Sequence, residues 1–458
     1  MMNTQAANEN PSLPNDFYLP LKARADEIER SYLALTPNSA KLFKQAEGIY
    51  PGGYTRDAII RKPYSPFVRR GEGTQLIDCD GRSITDFWFN ATSLPIGHAH
   101  PRVVDAVTRQ TQVGSAYFAF SEIELDLATK VCDRLPSGER VRFTNSGSEA
   151  VMVAVRLARA ATGRDLLVKF EGSYHGTYDD VQWSVGPPAD KVGNPDNPTP
   201  VPDTGGLPSG AGRVLVLPYN NPKVLRATMA ARGAEVAAVI IEPMANRIGL
   251  IQPDAEFLVA ARDVCDASGA VLIFDEVIAF RLGRNGAQGE FGVTPDITTL
   301  GKVIGGGLPV GGVVGLESIL AVSEPGTPNR MAHAGTFNGN PVTAAAGCAT
   351  LDELTIEAFA HINTLGEQVR QRLREICEGL PLRITGAGSL FKINATSQDI
   401  RDYRGAMTVD REWERIASLA LLNEGFMLTS SLHGCVSTQT TAAETDTLIE
   451  AFSKLLKT

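Results

Sequence analysis

Val271-Leu272-Ile273-Phe274-Asp275-Glu276 runs four apolar residues straight into two carboxylates. An apolar run without polar alternation describes a strand buried on both faces, as in a parallel sheet. In an open α/β sheet, ligands sit outside the carboxyl ends of the strands, which is where Asp275 arrives. A carboxylate buried there needs a cationic partner to offset its desolvation. The plainer alternative is a helix cap or a turn.

Outward from this run, similar strands are predicted at 141–144, 166–170, 236–241 and 297–300, with helical patterns such as 149–161 and 256–267 between them. That alternation, over roughly residues 100–335, predicts an α/β lobe around a mainly parallel sheet. Residues 75–81 read as a hairpin turning at Asp80-Gly81, and 21–47 as helical. The first twenty residues read as a loose arm, and 186–212, rich in Pro, Gly, Asp and Asn, as an excursion that gates a site. The last hundred residues mix long helices with short strands, as in a smaller α+β lobe. The division expected is 1–95 as an N-terminal segment packing with the small domain, 96–340 as the large domain, and 341–458 as the small one.

Three further motifs flank the same strand ends. Thr298-Thr299-Leu300-Gly301-Lys302 closes a strand with a lysine, and Gly305-Gly306-Gly307 follows. Burial lowers a lysine's pKa, which frees the nucleophilic amine that bonds to aldehydes; the alternative is a surface lysine before a loop. Asn145-Ser146-Gly147-Ser148-Glu149 takes a strand into a helix, whose free amides make a phosphate cradle; the alternative is simple capping. Gly172-Ser173-Tyr174-His175-Gly176 offers an aromatic plate for a planar heterocycle, or a packed Tyr-His pair. Together these are the parts that hold pyridoxal phosphate: cradle, plate, a carboxylate for the pyridinium nitrogen and an amine for the aldehyde.

Composition narrows the partners. The 458 residues allow a substantial buried core, and a formal charge of −9 disfavours nucleic acid or anionic membrane as partner. Six scattered cysteines without a Cys-x-x-Cys pair read as reduced thiols in a cytoplasmic protein, and no apolar run reaches membrane-spanning length. Residues 1–20 lack the apolar core of a signal peptide. His98 and His100 invite a metal reading that nothing else supports, so no metal is expected.

At these motifs the chain resembles the class III pyridoxal-phosphate aminotransferases, of the aspartate-aminotransferase-like fold type I. Phe-Thr-Asn-Ser-Gly-Ser-Glu-Ala (143–150), Tyr-His-Gly (174–176), Ile-Glu-Pro (241–243), Phe-Asp-Glu-Val (274–277), Thr-Leu-Gly-Lys (299–302) and Gly-Thr-Phe-Asn-Gly-Asn-Pro (335–341) occur in family order. The resemblance runs from about Ser39 to the C-terminus. It implies Lys302 as the Schiff-base residue and proton shuttle, and Asp275 as partner of the pyridine nitrogen. It further implies Ser146, Gly147 and Ser148 at the phosphate, Tyr174 over the ring, and His175, Glu242 and Val277 around the cofactor. Thr336 would reach the phosphate of a neighbouring subunit, in a homodimer with shared active sites and a ping-pong exchange between a small-molecule amino donor and a keto acid acceptor.

Three subgroups look similar: glutamate-1-semialdehyde aminomutases, β-amino acid aminotransferases and D-phenylglycine-type aminotransferases. Arg56, after Pro51-Gly52-Gly53, stands where the β-amino acid group clamps a substrate carboxylate; the alternative is a surface patch with Arg61 and Lys62. Phe118 and Phe120 suggest an apolar wall for the substrate side chain, against ordinary core packing. The aminomutases' Phe-Glu-Ala-Gly run is replaced by Ser431-Leu432-His433-Gly434, without glutamate and without the arginine that the other two groups place at Ser431. Arg247, where the family often has Gln or Asn, or else His433, is left to supply that contact; the alternative for Arg247 is an outward-facing arginine in a loop. The expectation is an aminotransferase for a β-amino acid with 2-oxoglutarate or pyruvate as acceptor. An aminomutase comes second, a racemase, epimerase or decarboxylase on the same site third, and a non-catalytic scaffold is disfavoured because Lys302 and Asp275 are both present.

Overall fold

The computed structural model describes residues 15–203 and 212–457. Seven strands form the central sheet: β1 (Arg140–Thr144), β2 (Leu166–Phe170), β3 (Val214–Leu217), β4 (Val236–Ile241), β5 (Val271–Asp275), β6 (Ile297–Gly301) and β7 (Gly311–Gly315). Their order is β1-β7-β6-β5-β4-β2-β3. The pairings make β7 antiparallel to both of its neighbours, while the other pairs are parallel. The chain thus has the α/β architecture expected, with two strands, β3 and β7, beyond the five predicted; β3, Val-Leu-Val-Leu, is itself an apolar run. β7 is Gly-Gly-Val-Val-Gly because it passes hard against its neighbours: a Cβ on Gly311 would lie 2.1 Å from the Ser146 carbonyl oxygen.

The core sits on both faces of this sheet, as period-2 alternation requires. Leu167, Ala238, Ile240, Ile273 and Val313 pack on one face beneath the helix Gly147–Thr162. Val168, Val239, Ile241, Leu272 and Leu300 face the other way, with Phe257, Ala260 and Ala261 of the helix Ala255–Ser268.

The C-terminal part builds an antiparallel sheet from Arg383–Thr385, Leu390–Asn394 and His433–Cys435. Strand Phe426–Met427 leaves it to pair in parallel with Ser83–Asp86, so the N-terminal segment and the C-terminal part share a sheet. Helix Pro341–Glu353 packs on Pro101–Val113 and Glu122–Cys132. The fully buried Arg281 bolts the parts together, donating to Thr92 O (3.0 Å), Ser389 Oγ (2.9 Å) and Val436 O (2.6 Å).

One expectation is corrected. Residues from Asn15 are helical, not a loose arm: helix Asn15–Ala23 buries Tyr18 and Leu21, and Tyr18 donates to Pro381 O at 2.7 Å. The earlier part of that expected arm, residues 1–14, lies outside the described residues, as does 204–211 of the expected gate. The described part of that excursion is tied down, with Tyr403 donating to Pro187 O (2.8 Å) and Arg404 to Val192 O (2.9 Å). Among the described residues, no helix is long and apolar enough to cross a membrane, and no cluster of His, Cys, Asp and Glu could hold a metal ion.

Candidate active site

Five segments converge at one edge of the sheet because the strands that carry them run the same way. β5 ends at Asp275, β6 hands over to Lys302, β4 to Glu242, β2 to the turn 171–176, and β1 to the helix Gly147–Thr162.

The two carboxylates that close β5 have opposite jobs. Asp275 Oδ2 lies 2.9 Å from His175 Nδ1, and Oδ1 accepts from Thr299 Oγ1 and the Val277 amide, both at 3.2 Å. Glu276 turns away and caps the helix Gly286–Phe291, accepting from the amides of Ala287 (2.6 Å) and Gln288 (3.2 Å). Burial pushes its carboxyl up to about 7, against those hydrogen bonds. The cap reading therefore holds for Glu276 and fails for Asp275.

Lys302 has φ +47°, a left-handed backbone that costs a non-glycine residue on the order of 1–3 kcal/mol. Burial lowers its ammonium pKa, while Asp275 and Glu242 pull it back up. The result is a lysine with more free amine than an exposed one, facing two acids. Glu242 accepts from the amides of Tyr174 and Asn246, each at 3.1 Å, and burial followed by the charge of Asp275 raises its carboxyl to about 8.

At the end of β1, Ser146 caps the helix in the ordinary way: its Oγ accepts from the Glu149 amide at 3.2 Å and its carbonyl from Ala150 at 3.0 Å. The amides of Gly147 and Ser148 keep no partner among the described residues, so they stand free at the positive end of the helix dipole. Gly147 is required by close packing: a Cβ there would lie 2.8 Å from Val277 Cγ2. Ser148 Oγ accepts from the Thr177 amide at 3.3 Å.

His175 is buried with Nε2 unpartnered, and burial lowers its pKa against the pull of Asp275. It is therefore neutral, donating from Nδ1 and leaving the negative charge on Asp275. The ring of Tyr174 carries the Arg247 guanidinium, whose Cζ lies 4.3 Å from the ring centroid.

The remaining expected residues divide. Arg56 is exposed and donates to Asn90 Oδ1 at 3.0 Å. Arg61 does not join it at the surface: it is buried, donating to Ser418 Oγ (2.8 Å) and Leu428 O (2.5 Å), whereas Lys62 is exposed. Phe118, Phe120 and Thr336 are exposed on the single chain, so the phenylalanines wall no pocket within it. His433 cannot stand in for a cationic arginine. Its Nε2 donates to Asn246 O (3.0 Å), Nδ1 accepts from Ser431 Oγ (2.9 Å), and burial drives its pKa well below the usual value.

Sequence reading missed Thr299 as the second side chain on Asp275. The parallel register that sets Asp275 beside Thr299 is what joins them, and a single strand carries no sign of it. It also gave no role to Asn90, the partner of Arg56.

A family model described as aminotransferase class-III matches residues 59–456. A glutamate-1-semialdehyde 2,1-aminomutase from Methanothermobacter thermautotrophicus is 38% identical over 401 residues, 87% of this chain and 93% of that protein. Among solved structures, an omega-transaminase from Sphaerobacter thermophilus superposes with a TM-score of 0.88 at 40% identity, covering 92% of this chain and 97% of that one. A β-phenylalanine aminotransferase from Variovorax paradoxus gives 0.87 at 33% identity, over 95% and 97% of the two chains.

Proposed function

The chain belongs to the class III aminotransferases, pyridoxal-phosphate enzymes, and on that premise we propose that it moves an amino group from a β-amino acid to a keto acid. The observation that carries this reading is the half-buried Lys302, strained in its backbone and facing Asp275 and Glu242 at the strand ends.

The donor set fits the cofactor. The free amides of Gly147 and Ser148, with the hydroxyls of Ser146 and Ser148, suit a phosphate, and Val277 packs that turn into place. Asp275, charged and held by His175 and Thr299, suits a pyridinium nitrogen. The Tyr174 ring offers a face to a planar heterocycle, and Glu242 fixes the backbone that carries it. When bound, pyridoxal phosphate supplies an aldehyde carbon for the amine and a ring that takes up the electron pair left as a proton departs.

The protein's own groups do the rest. Lys302 anchors the cofactor through its amine and, once released, carries the proton to and from the substrate carbon. Asp275, hydrogen-bonded by a neutral His175, would face the ring nitrogen of the bound cofactor and favour its protonated form. Among the described residues Arg56 is bonded to the neutral amide of Asn90, which leaves its charge available for the substrate carboxylate.

A homodimer with shared sites is part of this reading. Val113, Tyr117, Phe118, Phe120, Leu125 and Phe337 are all exposed, and so much apolar surface calls for a partner. From a second copy, Phe118 and Phe120 would wall the substrate side chain and Thr336 would reach the phosphate. The cytoplasmic setting read from the cysteines belongs to the same proposal; all six are free thiols.

The aminomutase relative favours a second reading, in which the amino group shifts between neighbouring carbons of one substrate. Acceptor dependence separates the two. Purified holoenzyme is mixed with β-amino acids without keto acid while its visible spectrum is followed. Bleaching of the visible band, restored by a keto acid, supports the aminotransferase. A band indifferent to every β-amino acid, with glutamate-1-semialdehyde consumed in the absence of keto acid, selects the mutase.

A further inference from the structure

Building on the aminotransferase reading, we propose that Arg247 is a specificity residue that makes this site select dicarboxylic 2-oxo acids as amino acceptor. Arg56 takes one carboxylate and Arg247 the one remote from the reacting carbon.

The loop that carries Arg247 is constructed to present one side chain. From Ile241 to Ile251, Arg247 is the exposed residue; Asn246 is half-buried and the others are buried. The loop is held from several sides. Ala245 and Ile251 exchange backbone hydrogen bonds of 3.0 and 3.2 Å. The Asn246 amide donates to Glu242 at 3.1 Å, and its carbonyl accepts from Gly249 and Leu250 at 3.2 Å and from His433 Nε2 at 3.0 Å. A loop so constrained has little freedom to vary where the Arg247 side chain begins.

Tyr174 and Arg247 are aligned by one carboxylate. Glu242 accepts the Tyr174 amide on Oε2 and the Asn246 amide on Oε1, so the backbones beneath the ring and the guanidinium are tied to a common point. The guanidinium carbon sits 4.3 Å from the Tyr174 ring centroid, and among the described residues no hydrogen bond occupies its N–H groups. Those groups form the fork that grips a carboxylate with two parallel hydrogen bonds.

Neither arginine has an acidic partner among the described residues: Arg56 meets the neutral Asn90 amide and Arg247 the neutral Tyr174 ring. A chain of contacts joins the two: Arg56 bonds Asn90, two residues after Trp88, whose ring lies 5.7 Å from that of His433, which in turn bonds the carbonyl of Asn246 beside Arg247. Two guanidiniums without an ion pair among the described residues can each take one carboxylate of a dianion. An acceptor with one carboxylate satisfies only one of them.

The test uses the holoenzyme and two non-reactive probes, glutarate and valerate, which differ in their second carboxylate. Binding is measured by calorimetry. Wild type should bind glutarate about 10- to 100-fold more tightly than valerate, the range of one charged bidentate contact. Arg247→Gln should erase most of that margin and Arg247→Lys should keep part of it. In parallel, the ratio of kcat/KM for 2-oxoglutarate over pyruvate should fall about as far in Arg247→Gln. A margin that survives in Arg247→Gln overturns the assignment. So does an unchanged margin accompanied by a shifted pH dependence of the visible band, which gives Arg247 to the cofactor. Failure of wild type to use any keto acid would sink the aminotransferase reading, whereas a wild type that uses pyruvate without preferring glutarate sinks this inference alone.

Discussion

His175 Nδ1 lies 2.9 Å from Asp275 Oδ2, with both side chains buried and, among the described residues, no cation bonded to that carboxylate. The histidine arrives from the turn after β2 and the aspartate from the end of β5, a hundred residues later. Because burial keeps His175 neutral, the pair orients Asp275 without neutralising it.

Replacing His175 with Leu should therefore loosen the cofactor about tenfold or more, the loss of one hydrogen bond to a charged group. Titration of apoenzyme with pyridoxal phosphate, read by absorbance, measures this. Wild-type affinity in the variant would show that Thr299 and the Val277 amide suffice to orient Asp275.

Lys302→Ala should eliminate turnover and the visible band that depends on the lysine amine. Removing a positioned proton-transfer group alone costs on the order of 10²–10⁴ in rate, and here the covalent anchor goes with it. Full activity in this variant would end the assignment of the whole site.

Phe118→Asp combined with Phe120→Asp should split the assembly. Two charges placed in an apolar interface carry a desolvation cost that contact cannot return. Sedimentation should then show monomers, with activity falling in step. A dimer of normal affinity would mean that these two exposed rings serve some other surface.

Stability should fall as the pH drops below about 6.5, the ordinary histidine pKa. The unfolded chain then takes up a proton that buried His433, its pKa held well below that value, does not. The stability its two hydrogen bonds contribute is thus present above that pH and lost as pH falls. His433→Gln should flatten this part of the profile of Tm against pH between 7.5 and 5.5; an unaltered slope would assign the loss to other groups.

Lys392 and Glu414 form a fully buried ion pair of 2.6 Å in the C-terminal part. Glu414→Gln should cost about 3–5 kcal/mol, because it strands a buried ammonium. Replacing both partners with apolar residues, Lys392→Met with Glu414→Leu, should cost less than that single change. Urea unfolding of the three proteins decides, and equal losses would show that packing rather than charge sets the effect.

What the amino-acid sequence determined by itself was local. Apolar runs marked five of the seven strands, and the residue closing each run placed Asp275, Lys302 and the Ser-Gly-Ser turn at strand ends. These are signals of one or two turns of chain, written in side-chain periodicity and in the needs of helix amides. Strand β7 escaped notice because its glycines answer to the close passage of Ser146 and β6, contacts that lie far away in sequence. The helix Asn15–Ala23 escaped because its apolar face is satisfied by Pro381 and Trp413, close to four hundred residues on.

Tertiary structure alone decided how the site is divided. Asp275 and Glu276 are chemically equivalent in the sequence; adjacent residues of a strand face opposite ways, and only the sheet's neighbours tell which side holds His175 and which holds a helix to cap. It likewise buried Arg61, tied up His433 with two hydrogen bonds, and left Arg56 and Arg247 exposed with no ion pair among the described residues. The physical reason is the same in each case. A charged side chain's role depends on which groups share its surroundings, and those groups are brought there by the packing of distant segments, which no single stretch of the chain records.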